Sequence, residues 1–311
     1  MMFKSNVVRK GIAVSMLISL FNISTAIADA DIVYMEPVAS GVSLDAIATA
    51  GDSIDGYLIG GIPDGMGVIK SGNILRVLTN HEWSSTNAIS ANRVSGGGWT
   101  TGSYVSEMHY DLTQKKIVAG TDFMKTVEFY NYSTGTWGLI PTAPAGAIGG
   151  HTSVINRFCS STLADAGEFY DKATGTGYKG AVYLTGEEGG DESRGFAANE
   201  DGQWVQIPGF GLAAWETFVN APTNSRATVV MANEDGSATD SQLFMYLGTK
   251  KKTGEWFEQA GLTGGKYFVM ATDVKNDNEF RATYGKTGSA KVTFKEIDYL
   301  QNGKSQNDKA R

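Results

Sequence analysis

The sequence predicts an all-β fold of the β-propeller kind, and three observations point there. The apolar runs are short, four to six residues, rich in Val, Ile, Tyr and Phe and bounded by Gly, Asn, Asp or Thr. That is the pattern of strands and turns rather than of helices. Glycine is abundant, 39 of 311 residues, while proline numbers only 6; a chain with many tight turns needs that imbalance. One strand-like motif also recurs at intervals near the size of a four-stranded blade, about 40–50 residues.

The motif has three clear copies: LRVLTNHE at 75–82, AVYLTGEE at 181–188 and TVVMANED at 228–235. Each is a β-prone segment that ends on a carboxylate. A weaker fourth copy is YFVMATD at 267–273. Glu188 and Asp235 lie 47 residues apart, and Glu82 and Glu188 lie 106 apart, about two such steps. MHYDLTQKKIVAG at 108–120 and MYLGTKKKTGEWF at 245–257 read as strand, turn, strand, with the Lys250–Lys252 run solvated at an outer turn.

Ahead of these segments stands a leader. Lys4, Arg9 and Lys10 precede an apolar run from Gly11 to Ile23, and Ala26-Ile27-Ala28 is a small-residue cleavage site. The reading is a secretory signal peptide over 1–28 and one domain over 29–311. The apolar run is shorter than the roughly 20 residues a membrane span needs. The expected location is periplasmic or secreted, with no membrane association after cleavage.

Composition narrows the function. Hydrophobic residues at 41% against 19% charged exclude a disordered chain. A net charge of −7 lacks the phosphate-neutralising surface that nucleic-acid binding requires. Cys159 is the single cysteine, so no intrachain disulfide forms; in an exported protein such a thiol is either buried or bound.

Equivalent strands in different blades end on one ring. Glu82, Glu187, Glu188, Glu234 and Asp235 would then converge near the mouth of the central channel. Carboxylates that close repel one another unless protons or cations sit among them. Hard oxygen donors suit Ca²⁺, and carboxylates also serve Fe³⁺ and Mn²⁺. The alternative is that each acid ends its own strand and faces water. Glu216, beside Trp215, is a further candidate carboxylate. Arg157 and Arg194 are candidates to clamp a phosphate or carboxylate substrate; neutralising a neighbouring acid is their other reading.

Familiar catalytic signatures are missing: there is no G-x-S-x-G, no GxxxxGK[ST] and no H-E-x-x-H. His81 could ligate or shuttle a proton, His151 could reach a site from its glycine-rich loop, and His109 reads as structural.

Several segments together resemble the PhoX-type alkaline phosphatases. They are PDGMGV…LRVLTNHEW (63–83), RFCS (157–160), GYKGAVYLTGEEGGDESRGFA (177–197), AWET (214–217), TVVMANEDGSATDSQLFMYLGTKKKTG (228–254) and GLTGGKYF (261–268). The resemblance implies a six-bladed propeller and an exported phosphomonoesterase acting on a small phosphorylated substrate. It implies Fe³⁺ and Ca²⁺ as cofactors. Glu82, Glu187, Glu188 and Glu216 would be metal-site acids, Glu234 and Asp235 another acidic pair, and Cys159 a thiolate iron ligand. The chain departs from the family in having Trp215 where members have His, and in lacking a Pro-Trp-Gly-Thr stretch after the cysteine. Members also continue past KVTFKEIDYL (291–300) with a further acidic segment, so the last blade is expected to be incomplete.

The leading expectation is therefore metal-assisted phosphoester hydrolysis by a monomer. The alternatives are a Ca²⁺-dependent esterase, lactonase or phytase-like propeller hydrolase, or a non-catalytic Ca²⁺-binding propeller.

Overall fold

Two-residue alternation builds most of the strands. Along Ala227–Glu234 every second residue is buried and the others are half-buried, so each face of the strand has its own environment. The computed structural model describes residues 35–86, 102–144, 147, 151–236 and 241–298. The chain divides into two units, 1–46 and 47–311. Described residues of the first, 35–46, hold a turn and neither helix nor strand. The proposed leader lies outside the described residues, and no described helix is long and apolar enough to cross a membrane.

All described strands belong to the second unit. A short hairpin, β1 (Ser53–Ile54) and β2 (Tyr57–Leu58), opens it. The first large sheet is an antiparallel meander of β3 (Pro63–Ser71), β4 (Ile74–His81), β5 (Tyr104–Asp111) and β6 (Lys116–Asp122). Next come β7 (Thr126–Asn131) and β8 (Thr136–Gly138), which form a hairpin. The second sheet begins with β9 (Phe158–Ala164). A small excursion, β10 (Tyr170–Asp171) and β11 (Thr176–Gly177), separates it from β12 (Val182–Glu187), β13 (Gly195–Asn199) and β14 (Gln203–Gln206). The order is β9-β12-β13-β14, and β7 then joins β14 in parallel, carrying β8 with it.

A single 3-10 turn at Pro208–Phe210 leads to the third sheet, β15 (Trp215–Ala221), β16 (Ala227–Glu234), β17 (Leu243–Thr249), β18 (Lys266–Ala271) and β19 (Thr293–Ile297). Two short helices interrupt it, α1 (Trp256–Gln259) and α2 (Asp277–Tyr284).

The three sheets stand side by side. Their first strands are neighbours: β3 packs on β9, and β9 on β15. Two apolar layers fill the spaces between sheets. Leu78, Val105 and Phe123 of the first sheet's side meet Tyr183, Phe196 and Trp204 of the second. On its other face the second sheet puts Val182, Leu184 and Val205 against Phe218, Val230 and Phe244 of the third. Covered on both faces, β12 is buried at every residue.

All-β architecture with blade-like meanders therefore agrees with the sequence. Among the described residues the sheets do not close into a ring. The three clear motif copies fall on β4, β12 and β16, each the second strand of its sheet. The weaker fourth copy is not equivalent: it lies on β18, fourth in its sheet, and its Asp273 is exposed and bound by Tyr284 Oη at 2.6 Å. The 245–257 segment runs from β17 into α1 rather than a second strand. Lys250 is buried, not solvated; its ammonium donates to Thr223 Oγ1, Ser225 O and Ala227 O at 2.7–3.0 Å.

Candidate metal centre

The first two strands of each sheet are registered in the same way near the site. Pro63 pairs with His81 in the first sheet, Phe158 with Glu187 in the second, and Trp215 with Glu234 in the third. Immediately after each pair the register shifts, because the first strand holds one extra residue. Such a bulge re-aims a side chain at the end of a sheet. The residues that follow the pairs are Asp64 and Glu82, Cys159 and Glu188, Glu216 and Asp235. One repeated backbone device thus presents six potential donors, two per sheet.

Four of the other five converge on Cys159. Ligand atoms of Asp64, Glu82 and Cys159 all lie within 4.8 Å of one another, and so do those of Cys159, Glu188 and Glu216. The thiol is 3.4 Å from Asp64 Oδ2 and 3.2 Å from Glu216 Oε2. One S–H cannot serve both acceptors at once. Burial, then the Glu216 carboxylate, then Asp64 push the Cys159 thiol far up from its ordinary value. Burial likewise raises Glu188; Arg157 opposes that shift, while the charges of Glu82 and Asp235 add to it.

Arg157 spans the two strand-end glutamates. Its Nε donates to Glu82 Oε1 at 2.9 Å, its Nη2 donates to the same oxygen, and Nη2 reaches Glu188 Oε2 at 3.0 Å. The backbone supports the bridge: Arg157 N donates to Trp83 O and Glu188 N to Arg157 O, both at 2.9 Å. Arg157 itself has φ 53°, a left-handed conformation that costs a non-glycine residue about 1–2 kcal/mol. Its side chain is 42% exposed, so it neutralises acids and also meets solvent.

The other expected residues sit elsewhere. Glu187 is buried and turned into the fold, where Arg194 Nε and Nη2 hold it at 2.6 and 2.7 Å and Asn156 N donates at 2.9 Å. Arg194 is 1% exposed and also donates to Thr152 O and Val154 O. Its bonds to Glu187 match its other reading, the neutralising of a neighbouring acid. Glu234 is buried beneath the third sheet's end, near enough to Tyr267 to raise that phenol, after burial. Asp235 is exposed at the rim.

His81 is packed inside: its ring stacks on Tyr104 at 4.4 Å and its nitrogens meet Gly61 O and Ser106 Oγ. His109 binds Glu107, as a structural residue would. His151 lies 3.5 Å from Glu192 and away from the cluster; burial, then the Arg194 charge, lower its pKa. Sequence reasoning missed Asp64. The available signal was its place in PDGMGV, one turn of chain ahead of the first motif copy, where a hairpin returns it beside Glu82.

The donor set fits a cation. At an effective dielectric of about 20, two carboxylate oxygens 4.8 Å apart repel by about 3–4 kcal/mol. Among the described residues, Arg157 is the one cation hydrogen-bonded to these acids, and it reaches Glu82 and Glu188. Oxygen donors favour Ca²⁺, and a thiolate among carboxylates admits iron.

No protein-family model matches the chain, and no curated protein does. Among solved structures, Pseudomonas fluorescens PhoX in complex with vanadate, a transition-state analogue, is similar at a TM-score of 0.43 with 11% identity. The match covers 68% of this chain and 45% of that one, so the chain spans less than half of that protein's length. A likeness of this size fixes neither activity nor ligand.

Proposed function

We propose that the chain is an exported, metal-dependent phosphomonoesterase acting on small phosphorylated substrates. One observation carries the reading: Asp64, Glu82, Glu188 and Glu216 gather around Cys159 in two three-donor groups that share the thiol. Five donors with one guanidinium make a centre that needs positive charge. The sequence resemblance to PhoX-type phosphatases names the reaction class, with Ca²⁺ and Fe³⁺ as the ions and a propeller as the scaffold, and the basic, apolar and A-x-A run over residues 1–28 is the export signal.

Ions held there would polarise phosphoryl oxygens and favour in-line displacement of the ester. The chain's own residues have separate tasks. Asp64, Glu82, Glu188 and Glu216 supply hard oxygen donors, and Cys159, once deprotonated, the soft one. Asp235 adds negative charge at the rim. Arg157, partly exposed and adjacent to both donor groups, is the group able to orient a phosphate dianion. Glu187 and Arg194 hold the loop that carries Glu188.

The test is phosphate release from p-nitrophenyl phosphate by the purified chain loaded with Ca²⁺ and Fe³⁺, beside a Glu188→Ala control. Elemental analysis of wild type and Cys159→Ser accompanies it. Turnover lost in Glu188→Ala, with iron lost in Cys159→Ser, supports the proposal. Cleavage of carboxyl esters or lactones without phosphate release moves the centre to another hydrolase class. Tight calcium with no turnover makes it a structural clip.

A further inference from the structure

The repeat that builds the metal centre also orients the faces of the sheets. Leu78, Leu184 and Met231 occupy the same motif position, three residues before His81, Glu187 and Glu234. Leu78 is buried in the layer between the first and second sheets. Leu184 is buried in the layer between the second and third. Each thus points to the next sheet. The preceding position holds Val77, Tyr183 and Val230. Tyr183 points back to the first sheet and Val230 back to the second.

Two positions remain over. Met231 presents the third sheet's forward face, and Val77 the first sheet's backward face; both are half-buried. The forward face is apolar across its first four strands, and the fifth ends the row with Glu296 opposite Phe268. Val219 pairs with Met231, Met231 with Met245, and Met245 with Phe268, giving one transverse row. Val219 is 45% exposed. On the backward face Val68 pairs with Val77 and Val77 with Met108. Met66 and Val68 there are 54% and 49% exposed. The β1–β2 hairpin lies against β6 and leaves this inner part open.

A forward face of this repeat is built to meet a backward face, as the two internal layers show. We infer that two copies of this chain assemble head to tail, the third sheet of each covering the first sheet of the other, and close a single ring of six sheets. The described residues hold three large sheets, and that count selects two copies. Propellers close with typically four to eight blades, and six is the only multiple of three in that range. Both contacts are then identical and related by a twofold axis, so no open edge propagates. Exposed apolar sheet faces of this kind mark association surfaces. The inference uses the sheet faces alone and stands whether or not the chain is a phosphatase.

The experiment is the mass of the full purified chain by sedimentation velocity and light scattering at micromolar concentration. The expected mass is twice the 33.2 kDa chain. Val68→Lys and Val219→Lys should each shift it to the monomer, whereas Leu139→Lys, on an exposed residue outside both faces, should not. Should the lysine variants fail to fold by circular dichroism, Val68→Thr and Val219→Thr take their place. Each should then weaken the dimer roughly tenfold, since a hydroxyl is buried without a designed partner. A monomeric wild type overturns the inference and assigns the faces to other segments of the chain or to a different polypeptide. A dimer that survives both face variants overturns it as well, because its contact then lies elsewhere.

Discussion

Arg194 and Glu187 form a buried, two-pronged ion pair, with Nε–Oε2 at 2.6 Å and Nη2–Oε1 at 2.7 Å. Next to it in sequence, Glu188 faces the opposite way, toward Cys159 and Arg157. Two adjacent glutamates therefore do different work. A bulge at the start of β9 and a turn after β12 separate them: Glu187 N is bound by Arg194 O, Glu188 N by Arg157 O.

This separation predicts opposite consequences of substitution. Arg194→Met leaves Glu187 charged and buried without its partner, and should cost about 3–5 kcal/mol of stability. Glu188→Gln removes one of several mutually repelling carboxylates and should leave stability within about 0.5 kcal/mol of wild type. Urea unfolding of both variants measures the contrast. Equal losses would mean that the two glutamates share one role.

Cys159 gives a second prediction, on reactivity. Burial and the Glu216 and Asp64 carboxylates all disfavour its thiolate. In the cation-free native protein a thiol reagent at pH 8 should modify it at least roughly tenfold more slowly than in the unfolded chain. Asp64→Asn with Glu216→Gln removes both negative neighbours and should speed the reaction. Fast labelling of the native wild type would contradict the geometry.

The acid limb of stability is the third. Burial pushes the Glu107 carboxyl up, but the hydrogen bonds from Arg76 and His109 outweigh it and hold the carboxyl below its ordinary value. A lowered folded-state pKa gives stability that is present above the unfolded pKa and lost as pH falls through the folded one. Glu107→Gln should therefore be less stable than wild type near neutral pH, by about 1 kcal/mol once screening at the partly exposed Arg76 is allowed for. The difference should shrink below about pH 4, the ordinary glutamate range. Thermal melts of both proteins across pH 3–7 read the convergence.

Much of this was legible in the sequence, and the reasons are local. The strand ends at Glu82, Glu188 and Asp235 could be read because a β-run and its terminal acid are contiguous, and their spacing matched equivalent strands. Asp64 was not legible as a donor, since only the pairing of Pro63 with His81 brings it to Glu82. Glu187 and Glu188 could not be told apart in the sequence, because strand polarity alone cannot tell which of two adjacent acids turns inward. Lys250 looked solvated within a lysine run, yet three acceptors converge on its ammonium in the fold. The six-bladed ring is more than the described strands supply, since their sheets do not close.

Glycine was read as turn-forming, and part of it serves instead to bring sheets together. Gly67 on β3 faces β9: a methyl group there would lie 2.6 Å from Leu163 Cβ and 3.2 Å from Tyr183 Cε2. Gly186 on β12 faces β15, where a methyl would meet Trp215 Cβ at 2.5 Å and Phe218 Cε2 at 2.6 Å. Neither contact is with the free end of a flexible side chain, so the facing sheets would have to move apart. Gly67→Ala and Gly186→Ala should each cost about 1–3 kcal/mol by overpacking. Gly138→Ala, with nothing within 4 Å of the added carbon, should be nearly neutral. Because β3, β9 and β15 carry Asp64, Cys159 and Glu216, the same two variants should also weaken Ca²⁺ binding measured by calorimetry on the folded protein, while Gly138→Ala leaves it unchanged. Unaltered calcium affinity in a destabilised Gly67→Ala would separate strand spacing from the donor geometry and count against a centre shared between sheets.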